Sequence, residues 1–194
     1  MSKREPRYDI PKAAPDDLRL VQLFVNTTDH EGSRELLASP GGLRDWLAEQ
    51  CLLSSRARVS RADLRCATSL REALRSLLEA NNNRPADEAA AGELNRMARL
   101  ARIELRAGPA GKAAVVVGAA GVDGALGRIV AVALEAMLDG RWTRLKACRN
   151  CGFAFYDYSR NRAATWCSMK LCGNRLKTRG YRARRREHRA SQSR

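Results

Sequence analysis

The sequence predicts a mainly α-helical chain with a small β element, followed by a compact C-terminal module of a different kind. Three observations lead there. Apolar residues recur at helical spacing over most of the first 140 positions. Four of the six cysteines fall in two close pairs between 148 and 172. Nearly all of the net charge of +15 lies beyond residue 140.

The elements follow in order. Residues 1–15 carry three prolines and mixed charge and read as a flexible arm. Apolar residues at 18, 20, 21, 23, 24 and 25 then fit a mostly buried helix. A polar loop follows, and Ser39-Pro40-Gly41-Gly42 turns the chain into a short amphipathic helix carrying Trp46. The clearest helix is 60–80. Ser60 and Asp63 resemble a capping box, and Leu64, Ala67, Leu70, Leu74, Leu77 and Leu78 form one stripe that Asn81-Asn82-Asn83 ends.

Residues 86–101 predict a further, alanine-rich helix. The period then changes: Arg102–Arg106 alternates, Gly108–Gly111 turns, and Ala113–Val117 is a β-branched run, together a β-hairpin. Gly118–Gly127 reads as a flexible connection, and Leu126–Leu138 as a last apolar helix. The domains expected are therefore the arm 1–15, a helical domain 16–140, a metal module 141–187 and a basic tail 188–194.

No run of about 18 apolar residues is present, so no membrane span is expected. The opening MSKREPRYDIPKAAPDD has no apolar stretch of the signal-peptide kind, and a cytoplasmic protein is the expectation. Residues 1–140 hold 20 Lys and Arg against 19 Asp and Glu; residues 141–194 hold 16 against 2, namely Asp157 and Glu187. Charge concentrated in this way points to a polyanionic partner, and it is interleaved with the cysteines rather than appended after them.

Those cysteines are spaced Cys148-x2-Cys151, fifteen residues, Cys167-x4-Cys172. Zinc prefers four tetrahedral soft ligands, and four thiolates make a closed structural site. A tight turn through Arg149-Asn150 before Gly152 aims the first two sulfurs at one ion. The spacer, with Phe153, Phe155 and Tyr156, has room for a short hairpin, and the second pair opens a helix, which gives a treble-clef-like zinc finger. An iron–sulfur centre is the lesser alternative, and four unrelated reduced thiols the bland one. Cys51 and Cys66 have no ligand or catalytic partner at any telling spacing.

Beyond the second pair, basic residues at 175, 179, 182 and 186 fall on one helical face. Arginine forks suit phosphates and guanine edges. Arg160, Arg162, Arg175, Lys177, Arg179, Arg182 and Arg184 are the candidate nucleic-acid contacts, with Arg175 the candidate base reader. Asn174 offers an amide for adenine, and a solvated charged face is the plain alternative.

Trp166-Cys167-Ser168-Met169 followed by Cys172-Gly173-Asn174-Arg175 resembles the CGNR zinc finger, as do the first cysteine pair and Ser159-Arg160-Asn161. Phe24-Val25-Asn26-Thr27, Leu36-Leu37-x2-Pro40 and Leu43-x2-Trp46-Leu47 resemble the ABATE domain that precedes this finger. The resemblance covers nearly the whole chain. It implies one structural zinc on the four cysteines, duplex DNA binding by the finger, and a role in stress-induced transcription regulation. The first knuckle departs from the family pattern, reading Cys-Arg-Asn-Cys-Gly where many members carry a Pro-Asp type turn.

Other candidates are weaker. Gly118-x2-Gly121-x2-Gly124-x2-Gly127 has the setting of a phosphate loop without its lysine or the dinucleotide glycine order. Asp29 and His30 read as solvated loop residues, and no nucleophile–base set is present, so no catalysis is expected. Asn26, polar within an apolar helix, needs partners if buried: it caps the next segment or lines a ligand pocket. The reading that results is a zinc-dependent DNA-binding transcription regulator. Its N-terminal domain would sense a small-molecule effector or mediate assembly, with a homodimer as one form. RNA or ribosome binding, with the finger aromatics stacking bases, is the rival.

Overall fold

The computed structural model describes residues 12–30, 32–111 and 113–174. Its helices appear where the apolar stripes place them: α1 (Leu18–Val25), α2 (Pro40–Glu49), α3 (Arg61–Ala80), α4 (Glu88–Leu100) and α5 (Gly121–Leu138). Three two-stranded antiparallel sheets join them: β1 (Thr28–Asp29) with β2 (Arg34–Glu35), β3 (Ile103–Ala107) with β4 (Ala113–Val117), and β5 (Leu145–Ala147) with β6 (Ala154–Tyr156). No helix among the described residues is long and apolar enough to cross a membrane.

Local chemistry sets the boundaries. Ser39 Oγ accepts from the Gly42 N–H and Pro40 stands in the first turn of α2, so the expected turn is the helix cap itself. The capping box of α3 is complete: Ser60 Oγ accepts from the Asp63 N–H (3.1 Å), and Asp63 accepts from the Ser60 N–H (2.7 Å). Asp87, which the sequence did not mark, caps α4 through the N–H groups of Ala89 and Ala90.

The glycine-rich stretch is not a flexible link. α5 begins at Gly121, five residues earlier than expected. A Cβ on Gly124 would meet the Ala119 carbonyl oxygen at 2.4 Å, and one on Gly127 would meet Ala101 Cβ at 2.4 Å. These glycines let α5 lie directly against its own entry turn and the end of α4, so they are packing residues rather than a phosphate cradle.

The finger hairpin also sits elsewhere than expected. β5 precedes the first cysteine pair and β6 follows it, so the knuckle is the hairpin's own turn rather than a neighbour of it. The core does not stop at residue 140. Leu145, Ala147, Ala154 and Tyr156 pack in one continuous apolar cluster with Leu18, Phe24, Leu74, Leu78 and Ile129. Among the described residues the two parts share a core, with a small second cluster of Phe153, Phe155 and the four cysteines peculiar to the finger.

Candidate metal centre

Four buried cysteine sulfurs, from Cys148, Cys151, Cys167 and Cys172, lie within 4.8 Å of one another. Cys148 directly follows β5, and a tight turn brings Cys151 back beneath it. In that turn the Gly152 N–H donates to the Cys148 carbonyl (2.8 Å) and the Cys148 N–H to the Phe153 carbonyl (3.0 Å). Gly152 takes the left-handed conformation at φ 70°, which only glycine adopts without strain. Cys172 comes from a single wide helical turn, Met169–Gly173, which Ser168 caps through the Leu171 N–H.

The spacing between sulfurs tests the metal. Tetrahedral zinc with Zn–S near 2.3 Å requires sulfurs about 3.8 Å apart. Here Cys151 and Cys167 are 3.7 Å apart, Cys167 and Cys172 3.6 Å, and Cys151 and Cys172 3.6 Å. Crowding sets the thiols against one another. Cys148 is pulled well below the usual thiol range, first by hydrogen bonding with Cys151, while Cys151 and Cys167 are pushed well above it, first by Cys148. Only a cation among them lets all four ionise together. The four cysteines form a single zinc site, and Asn150 Nδ2 lies 3.6 Å from Cys172 Sγ as an outer partner.

The loop between the cysteine pairs is organised by a charge pair that sequence reasoning missed. Lys146 and Asp157 meet at 2.8 Å, with side chains 5% and 0% exposed. Asp157 also accepts from the N–H groups of Ser159 and Ala164, both at 2.9 Å, and Lys146 donates to the carbonyls of Arg162 and Ala164. Burial raises the Asp157 carboxyl, but Lys146 and Ser159 outweigh it and hold the group down at about 2. Residue type alone made Lys146 one more cation of a basic segment.

Asn26 neither caps the next segment nor faces solvent. It is 3% exposed, and its amide pairs with the backbone of a single residue 128 positions away: Nδ2 donates to the Ala154 carbonyl (3.0 Å) and Oδ1 accepts from the Ala154 N–H (2.7 Å). Gln22, one helical turn earlier, donates to the same carbonyl. Other helical-domain residues treat the finger likewise. Arg75 donates to the Gly152 carbonyl and, on its own side, to that of Val25. Asn81 reaches the carbonyls of Trp142 and Leu145, and Asn82 those of Ala147 and Thr165, so the asparagine run that ends α3 is also the joint.

Residues 12–15, expected within the flexible arm, are held here too. The Lys12 carbonyl accepts from the Tyr156 N–H, Lys12 Nζ donates to the Trp166 carbonyl (2.7 Å), and Tyr158 donates to the Ala13 carbonyl. The paired backbone edge of β6 holds this part of the chain, and residues 1–11 lie outside the described residues.

Replacing Asn26 by Ala leaves the Ala154 N–H without its acceptor inside the joint. The expected cost is about 2–3 kcal/mol, or a fall of roughly 5–10 °C in melting temperature for a chain of this size. Thermal unfolding followed by circular dichroism measures it.

Of the expected nucleic-acid contacts, Arg160 and Arg162 are exposed on the loop after β6, and Arg162 Nη1 rests on Thr143 Oγ1 (3.0 Å). Arg175, Lys177, Arg179, Arg182 and Arg184 lie outside the described residues. Among the aromatic rings, Phe153, Phe155 and Tyr156 are buried; Tyr158 is 61% exposed and packs edge-on against Tyr156. Asp29 ends β1 and His30 follows it, at the β1–β2 turn.

Comparison with protein families agrees with this architecture. The ABATE model, described as "Putative stress-induced transcription regulator", matches residues 18–140, and the CGNR zinc finger model matches residues 144–185. A comparison with curated proteins finds no match. With most of its length covered by the first model and the zinc site by the second, the chain belongs to the ABATE family and carries a CGNR zinc finger after that domain.

Proposed function

We propose that this chain is a zinc-dependent transcription regulator whose finger binds duplex DNA, and that it works in the cytoplasm at the nucleoid. One observation carries the reading most. The only carboxylate of residues 141–174, Asp157, is fully buried against Lys146, while Arg160, Arg162 and Lys170 are exposed. The described finger surface therefore offers cations with no anion among them, and the sequence adds nine further basic residues beyond 174.

In this reading zinc and the Asp157 loop fix the surface, and the arginines engage phosphates. Arg160, Arg162, Lys177, Arg179, Arg182 and Arg184 position the finger, and Arg175, next to the fourth ligand region, reads a base. The helical domain senses an effector or mediates assembly. The rival reading, base stacking on single-stranded RNA, loses support because Phe153, Phe155 and Tyr156 are spent on the cores.

The test uses the whole chain, because the finger shares the helical domain's core. With about six phosphate contacts, log K against log[salt] should have a slope of roughly −5. Lys177→Ala or Arg160→Ala should weaken all duplexes alike and lower the slope by about one. Arg175→Ala should cost about 1–3 kcal/mol at one base position only. Fluorescence anisotropy on a random duplex pool, with single-stranded RNA as competitor, measures both. Binding that ignores these substitutions, or that RNA abolishes at equal concentration, overturns the proposal.

A further inference from the structure

The β3–β4 hairpin stands apart from the zinc centre. The register pairs Ile103 with Val117, Leu105 with Val115 and Ala107 with Ala113, and these six apolar side chains share one face of the sheet. Ile103 packs on the main core, and Val117 lies beside Gly127 of α5. Beyond that anchored end the hairpin projects: Leu105 is 70% exposed, and every residue of β3 after Ile103 is exposed. Both strands are edges of this two-stranded sheet; β4 is the better covered and β3 the more exposed edge. An isolated two-stranded sheet is marginal in water, and an exposed edge is a template for another strand.

The order of side chains on that edge selects the strand. Glu104 and Arg106 flank Leu105 on the face opposite the apolar one. Two antiparallel copies of Ile103–Ala107 related by a two-fold through Leu105 place Glu104 of each opposite Arg106 of the other. Leu105 then meets Leu105, and Ile103 meets Ala107. A parallel pairing in register would oppose like charges. The sequence of the edge is thus complementary to itself in the one arrangement that a closed dimer requires.

We infer that this chain forms a homodimer through antiparallel β3–β3 pairing, centred on Leu105, which makes one four-stranded sheet from two hairpins. This gives the assembly role of the helical domain a location. It does not depend on DNA binding, because the test reads mass alone.

Sedimentation equilibrium of the zinc-loaded full chain, at concentrations on the order of 10–100 µM, should give twice the chain mass of 21.5 kDa. Glu104→Arg and Arg106→Glu should each weaken the dimer about tenfold or more, by turning both cross-strand pairs into like charges. The double exchange Glu104→Arg with Arg106→Glu should restore it. An equimolar mixture of the two single variants should associate more tightly than either variant alone. A monomer throughout this range overturns the inference. So does a dimer whose affinity both single variants leave unchanged, which would place the contact elsewhere, at Leu138 for example.

Discussion

Removing zinc, by a strong chelator or by Cys167→Ser, is expected to unfold the finger and to loosen α1 and α3 with it. Structural zinc contributes roughly 10–16 kcal/mol in finger peptides, which equals or exceeds the whole stability of an ordinary domain, about 5–15 kcal/mol. The sequence alone suggests that residues 16–138 would survive this loss intact. The shared core argues otherwise. Once the Cys148–Cys151 turn is free, β5 and β6 lose their shape, and Leu18, Phe24, Leu74 and Leu78 lose apolar neighbours. Asn26, Asn81 and Asn82 lose the peptides they hold. Amide exchange should therefore accelerate along α1 and the C-terminal half of α3, while α2 stays protected. Metal analysis should find one zinc per chain before treatment. An apo-protein with unchanged melting and unchanged exchange in α1 would refute the coupling.

The second large effect is expected at Asp157. Asp157→Ala leaves Lys146 buried and unpaired, and breaking a buried ion pair from one side costs about 3–5 kcal/mol. The N–H groups of Ser159 and Ala164 lose their acceptor as well. The loop that carries Arg160 and Arg162 should then become mobile even where the zinc stays bound. Lys146→Met should be milder, because Asp157 keeps two N–H donors. The pair also sets an acid limit. A carboxyl held at about 2, below its unfolded value near 3.9, adds stability that is fully present above about pH 4. That contribution, about 2–3 kcal/mol, disappears as pH falls from 4 towards 2. Acid unfolding of the wild type should show this loss, and the Asp157→Ala chain should lack that component.

Much of this molecule is legible in its residues. Periodicity gives the five α-helices of the described residues, because a helix that buries one face must repeat its apolar residues at 3.6. Cysteine spacing gives the metal site, because ligand geometry tolerates few arrangements. What stays hidden is of another kind. The β5–β6 hairpin is short and straddles the knuckle, so its three-residue strands carry no readable alternation. The start of α5 is disguised by glycines that serve close packing rather than flexibility. The roles of Asn26, Gln22, Asn81 and Asn82 depend on peptides 61 to 132 positions away, and no local pattern encodes a partner at that distance. Lys146 looks like every other cation of the basic segment until its burial against Asp157 is seen.

The joint between helical domain and finger is drawn mostly from side chains on one side and main-chain atoms on the other. Asn26, Gln22, Arg75, Asn81 and Asn82 bind the peptide groups of Ala154, Gly152, Leu145, Ala147 and Thr165. Peptide groups are the same whatever residue carries them. The outward positions of the finger can therefore be rewritten by evolution without unmaking the attachment. A fixed mount of this sort lets descendants change the exposed finger surface while inheriting the same frame. For the engineer it marks residues 160–162 as a place where libraries of altered sequence can be displayed, provided the Asp157 anchor, the Tyr158 bond to Ala13 and the peptide contacts behind them are left untouched.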